Sequence, residues 1–155
     1  MSVDPHWLAW AAGIIDGEGC IYFNKQKTKA GKPSFTLKVE VVQLDPRMPR
    51  KLQELFGGNV KYKAKRQQPH WRPIYVWYLC SQRAADALAD ILPWLTVKKE
   101  QAEIAILSRR YVNRPGQSRP EFAGKLAEAA TNLSELKHVT VADLQGKARL
   151  RAVGD

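Results

Sequence analysis

The sequence predicts an α+β fold, an antiparallel sheet with helices on one of its faces. Four strand-like stretches, three of them alternating and the fourth apolar on both sides, come in two adjacent pairs, each joined by a turn-rich or polar loop, which is the pattern of two antiparallel hairpins. Before, between and after the pairs lie segments with apolar residues three and four apart and capping residues in front. The order is therefore helix, strand, strand, helix, strand, strand, helix. With 155 residues, 45% of them hydrophobic and 26% charged, the chain has the profile of one globular domain. Its core is expected over 5–112, with a short helical extension over 119–152.

Each element has a local reason. Asp4-Pro5 supplies an N-cap and a proline at the first helical position, and Trp7, Leu8, Ala11, Ile14 and Ile15 follow at helical spacing, so residues 5–16 read as a helix that Gly17-Glu18-Gly19 ends. Cys20 to Lys27 alternates loosely, and Phe35, Leu37, Val39 and Val41 alternate strictly with polar neighbours, giving two strands around the loop Thr28–Pro33. Asp45-Pro46 opens a helix over 46–56, with Pro49 in its first turn, and Gly57-Gly58 stops it. Val60–Lys65 and Ile74–Cys80 form the second hairpin. Helices over 83–92 and 98–110 follow. Arg114–Pro120 reads as a linker, and 121–133 and 141–151 as short helices.

Alternation also assigns sheet faces. Tyr22, Asn24, Gln26 and Thr28 share one side of the first strand, Thr36, Lys38 and Glu40 one side of the second, and Lys61, Lys63 and Lys65 one side of the third. Three polar faces in agreement point to an open sheet surface able to meet base edges or phosphates. Charge placement points the same way. Residues 21–72 hold thirteen Lys or Arg against Glu40, Asp45 and Glu54, a balance of +10, which equals the net charge of the whole chain. So concentrated a charge is the footprint of a nucleic-acid surface. A membrane surface would favour a basic amphipathic helix, and this region reads as strands.

Other classes are disfavoured. No apolar run approaches the roughly 20 residues of a membrane span, and the N-terminus lacks the basic start of a secretory leader, so an intracellular protein is expected, its compartment unspecified. Cys20 and Cys80 form no C-x-x-C pair and read as small apolar filler, while His6, His70 and His138 are scattered. Any metal must then be held by oxygen, which points to a hard cation such as magnesium.

One segment carries chemistry. Ala9, Gly13 and Gly17 recur every fourth residue, giving a helix face almost without side chains, suited either to tight packing on the sheet or to close approach of a second helix. Glu18 sits beside the negative end of that helix, where a carboxylate is unfavourable unless a cation is bound. The stretch Ala11-Ala-Gly-Ile-Ile-Asp-Gly-Glu-Gly19 resembles the signature of the LAGLIDADG homing endonucleases, with the leading leucine replaced by Trp10 or displaced to Leu8. The similarity runs over residues 5–115 and more weakly beyond.

The resemblance implies the αββαββα fold of that family, with its sheet as a saddle on DNA. A single motif copy implies a homodimer on a near-palindromic duplex target, with Ala9, Ala12, Gly13, Asp16 and Gly17 in the seam and Asp16 also orienting backbone. Glu18 of each subunit, with the Gly17 carbonyl, would hold magnesium, for which manganese can substitute. Gln43, Arg47 and Lys98 match the positions of further polar active-site residues, Lys98 supplying charge to the developing phosphorane, with Lys99 its rival. DNA contacts are expected from the three polar strand faces, from Lys29 and Lys32 in the first loop, and from Arg66, Gln68, His70 and Arg72 at the tip of the second hairpin. Tyr75 and Trp77 in the fourth strand, and Lys137 and His138 ahead of the last helix, complete the surface.

The activity implied is metal-dependent double-strand cleavage that initiates intron or intein homing. Two other readings fit the same residues: an RNA-splicing maturase or non-cleaving DNA-binding protein on this fold, and an unrelated basic RNA-binding protein.

Overall fold

The computed structural model describes residues 2–64, 70–111 and 120–138. Asp4 caps α1 (Pro5–Glu18), its carboxylate accepting the His6 backbone N–H at 2.8 Å with Pro5 in the first helical position. α1 runs through Glu18, two residues further than the sequence suggests, and stops at Gly19 in an extended conformation. A Cβ on Gly19 would lie 2.7 Å from the Ile15 carbonyl oxygen, so the close turn from helix to strand demands glycine there.

β1 (Gly19–Lys27) and β2 (Pro33–Gln43) form the first hairpin, in register from Gly19 opposite Val41 to Lys27 opposite Pro33. Thr28 belongs to the turn and not to the strand face: its Oγ1 accepts the Lys32 N–H at 3.1 Å. α2 (Arg47–Phe56) starts one residue later than expected, though the capping oxygen is the expected one, Asp45 Oδ1 accepting the Arg47 N–H at 2.8 Å. β3 (Asn59–Lys63) and β4 (Ile74–Cys80) form the second hairpin, and α3 (Ser81–Ile91) follows β4 with no loop. A 3₁₀ turn over Leu92–Trp94 leads to α4 (Lys99–Ser108), a second one over Arg109–Tyr111 closes that helix, and α5 (Pro120–Leu136) completes the described chain. The helix expected over 141–151 and Lys65 at the end of the third strand lie outside the described residues.

The four strands form one antiparallel sheet in the order β1-β2-β4-β3, so the two hairpins meet along β2 and β4. This is the expected α+β arrangement. Register puts Ile21, Val39 and Leu79 in one row and Val41, Trp77 and Val60 in the next, all on one face. Against that face pack Ala11, Ala12 and Ile15 of α1, Leu52 of α2, Ala84, Leu88 and Ile91 of α3, Ala102 and Ala105 of α4 and Leu133 of α5. Close packing of this kind is the main source of stability for the domain.

Two expectations are corrected by this core. Trp77 does not face outward: it is 1% exposed on the helix-covered side, and its indole N–H donates to the Gly57 carbonyl at 2.9 Å. Tyr75 shares that side, its ring 5.2 Å from that of Tyr62 at the sheet edge. An indole in a central strand removes most area from water when it is buried, provided its N–H finds a partner, and the carbonyl after α2 supplies one. Ala12 is fully buried against the sheet and so cannot belong to an exposed helix seam.

Gly57 and Gly58 take φ of 72° and 87°, and a Cβ on Gly58 would meet the Tyr78 carbonyl oxygen at 2.6 Å. Gly58→Ala is therefore expected to lower the unfolding free energy by about 1–3 kcal/mol. Gly124→Ala, at an open helix position, should be neutral or stabilising by up to about 1 kcal/mol. Equal midpoints for the two variants in urea denaturation would refute this account of the α2–β3 turn.

Candidate functional site

The end of α1 is tied to the start of α4. Asp16 Oδ2 accepts the Thr96 backbone N–H at 2.8 Å and Oδ1 accepts that of Lys98 at 2.8 Å. The Lys98 ammonium returns the contact by donating to the Asp16 carbonyl. Asp16 thus does the backbone-orienting work expected of it, and its carboxylate is occupied within the chain. Lys98 is also the residue before α4, its carbonyl accepting the Ala102 N–H at 2.9 Å.

Glu18 is the last residue of α1, exposed, with no hydrogen bond or ion pair among the described residues. It stands among the unpaired carbonyls of a helix end, at the negative end of the macrodipole. The structure therefore gathers Asp16, Gly17, Glu18 and Lys98 in one place. Among the described residues no cluster of three or more His, Cys, Asp or Glu could hold a metal ion. One unpaired carboxylate beside backbone carbonyls is a hard-oxygen donor set that suits magnesium or calcium, but one chain provides only part of a six-ligand shell.

Gln43 and Arg47 line a depression of about 430 Å³ between α1 and α2, with Trp7, Trp10, Asp45, Met48 and Lys51. Glu18 and Lys98 are not among its lining. The link is through the sheet: Gly19, next to Glu18, is opposite Val41, and Gln43 lies two residues further along β2. Arg47 is in the first turn of α2 as expected, but sequence reading missed its partner. Asp45 accepts the Arg47 Nε at 3.0 Å on each oxygen and Nη2 at 2.5 Å. Those hydrogen bonds, then the Arg47 backbone N–H, pull the Asp45 carboxyl down to about 2. The spacing Asp45-Pro46-Arg47 was the available signal, since a capping carboxylate lies within reach of a side chain two residues on.

The sheet face away from the helices carries Tyr22, Asn24 and Gln26 from β1, Thr36, Lys38 and Glu40 from β2, and Asn59, Lys61 and Lys63 from β3. These are the polar faces read from the sequence. β4 contributes Val76, Tyr78 and Cys80 to it, the parity opposite to the one expected. At its centre Glu40 Oε2 accepts from the Lys38 ammonium at 2.6 Å and from the Tyr22 hydroxyl at 3.3 Å. Lys38 sits 4.6 Å from the Tyr78 ring centre and 5.6 Å from that of Tyr22, and Lys61 lies 5.0 Å from Tyr78. Burial alone pulls the Lys38 pKa down, but the bonds to Glu40 and Tyr22 outweigh it and hold Lys38 above its ordinary value, so it stays charged at neutral pH. Burial pushes the Tyr22 hydroxyl up.

Around this centre the remaining expected residues fall as follows. Lys29 and Lys32 are exposed in the first loop, and His70 and Arg72 at the second hairpin. Arg66 and Gln68, like Lys65, lie outside the described residues. Lys137 follows α5 instead of preceding a helix, and its ammonium reaches back to the open face, 3.5 Å from Cys20 Sγ and 5.8 Å from the Tyr22 ring centre. His138 is exposed in the same turn. No helix among the described residues is long and apolar enough to cross a membrane.

No curated protein sequence matches the chain. Among solved structures it is similar in fold to the homing endonuclease I-CvuI, at 20% identity and a TM-score of 0.72 over 89% of this chain and 88% of that one. The archaeal intron-encoded homing endonuclease I-Vdi141I matches at 17% identity and a TM-score of 0.69, covering 83% and 82% of the two chains. I-TnaI, another homing endonuclease, matches at 21% identity and a TM-score of 0.60 over 99% of each. The sequence model of the LAGLIDADG endonucleases matches residues 11–98, from the middle of α1 to the lysine that opens α4, and more than half of the chain. By that match, and by the αββαββα sheet beneath it, the chain belongs to the LAGLIDADG endonuclease family.

Proposed function

We propose that this chain is a site-specific endonuclease that cuts both strands of duplex DNA as a homodimer, using magnesium or manganese. The observation that carries the reading is Glu18, an unpaired exposed carboxylate at the end of a helix whose Ala9–Gly13–Gly17 face is exposed. A Cβ on Gly13 or Gly17 would meet nothing within 4 Å among the described residues, so packing among them does not require glycine at either position. A second α1 fits that face, and its own Glu18 would then stand beside the first. Related structures support the partner and a divalent cation: I-CvuI was crystallised with its DNA target in the presence of calcium, and with the I-CreI target in the presence of magnesium, the DNA there not cleaved.

In this reading Glu18 from each subunit and the carbonyl of Gly17 would hold the cation, which when bound would supply polarisation of the scissile phosphate and a more acidic water. The Lys98 ammonium is tethered to the carbonyl of Asp16, the residue before Gly17, and its positive charge stabilises the extra negative charge of the transition state. Gln43 and Arg47 orient water and phosphate, with Asp45 holding the Arg47 side chain. Lys61 and Lys63 on the open sheet face neutralise phosphates.

Glu18→Gln is expected to abolish cleavage while duplex affinity changes little, measured by gel-based cleavage and binding on a selected target. Cutting at the wild-type rate would remove Glu18 from the centre, whereas wild-type protein that binds duplexes and never cuts them would favour the non-cleaving reading. Replacing Lys61 and Lys63 together by alanine should flatten the dependence of log affinity on log salt by up to about 0.9 per lysine; an unchanged slope would move DNA off this face. Gly13→Leu should leave the chain folded by circular dichroism but monomeric by sedimentation. A dimer that persists in that variant would place the seam elsewhere.

A further inference from the structure

We propose that Lys38 and Glu40 act as one unit that reads a G·C base pair near the inner end of each half of the DNA target. This rests on the reading of the chain as a nuclease on duplex DNA. The two residues are neighbours on one side of β2, on the sheet face that no core helix covers, and each side chain keeps about a fifth of its surface open, 21% and 22%. Their ion pair is 2.6 Å long.

The unit is pre-set. Glu40 Oε2 also accepts from the Tyr22 hydroxyl, and the Lys38 ammonium lies against the rings of Tyr22 and Tyr78. Little rotamer freedom is left to lose when DNA arrives. As a charge-neutral pair it adds little to phosphate attraction, which falls to Lys61, Lys63 and Lys137 around it. What it does present is a donor beside an acceptor: the remaining N–H groups of Lys38 and the free Oε1 of Glu40.

That pattern is the complement of one base-pair edge. In the major groove, guanine shows the acceptors N7 and O6, and its cytosine partner shows the N4 amino donor next to O6. Lys38 donates to guanine and Glu40 accepts from cytosine. A C·G or A·T pair reverses the order and sets donor against ammonium. T·A keeps the order but replaces the N7 acceptor by a methyl group. Glu40 is opposite Cys20, two residues past Glu18, so the pair read lies closer to the cut than those reached by Asn24 or Gln26.

The test is binding selection and cut-end sequencing on a randomised duplex library in magnesium, with wild-type protein, Glu40→Gln and Lys38→Met. Wild-type sites should share one G·C pair per half-site near the cut, and duplexes altered at that pair alone should bind the wild-type protein about tenfold to a hundredfold more weakly. Each variant, shown to be folded by circular dichroism, should lose preference at that pair and keep it elsewhere. If either folded variant retains every positional preference, or blurs all positions equally, the inference is overturned while the nuclease reading stands. If the wild-type protein neither binds nor cuts any duplex, both fall.

Discussion

Two backbone amides donating to one carboxylate hold the candidate centre together. Asp16 reaches across 80 and 82 positions of sequence to Thr96 and Lys98, and thereby sets where α1 ends, where α4 begins and how near the Lys98 ammonium stands to Glu18. Hydrogen bonds to a charged acceptor are worth about 1.5–3 kcal/mol each, which is a substantial part of a small domain's stability. The contact is two-way, since Lys98 donates back to the Asp16 carbonyl, so moving either helix end breaks bonds at both. Glu18 is left outside this arrangement, exposed and unpaired. The carboxylate with no partner among the described residues and the one with two are separated by a single residue.

α1 has two different sides, and both are used. Ala11, Ala12 and Ile15 face the sheet and are buried, while Ala9, Gly13 and Gly17 face away and are exposed. Small residues on the inner side let the helix lie close to β1 and β2. On the outer side, a Cβ at Gly13 or Gly17 would meet no atom within 4 Å among the described residues. The shift of Ala12 from the expected seam to the core narrows that outer stripe to residues four apart, the spacing of one ridge running obliquely along a helix.

The open sheet face divides its charge into two kinds. Lys61 and Lys63 have no acidic partner among the described residues, while Lys38 is balanced by Glu40 and packed among tyrosines. Lysines on strand faces therefore are not equivalent: the charge of a free one is open to an anionic partner and screened by salt, while a paired one is fixed in place. Arg47, balanced by Asp45, is the same case at the edge of α2.

Much of this fold was legible locally. Alternation and capping residues place α1, α2 and all four strands within a residue or two, because periods of 2 and 3.6 and glycine or proline punctuation act over short range. The motif at 11–19 and the basic third of the chain were legible too, and pointed to family and partner. β4 was not. Its Tyr75 and Trp77 and its Val76 and Tyr78 are both apolar sets, and only pairing with β2, which sets Tyr78 opposite Glu40 and Trp77 opposite Val41, decides which set is buried. The hairpin linking β3 to β4 is too long to fix that register by turn geometry. The Lys38–Glu40–Tyr22–Tyr78 cluster and the Asp16 clamp were likewise decided only in three dimensions, because each joins residues from different elements, brought together by burial of the core and not by any local pattern.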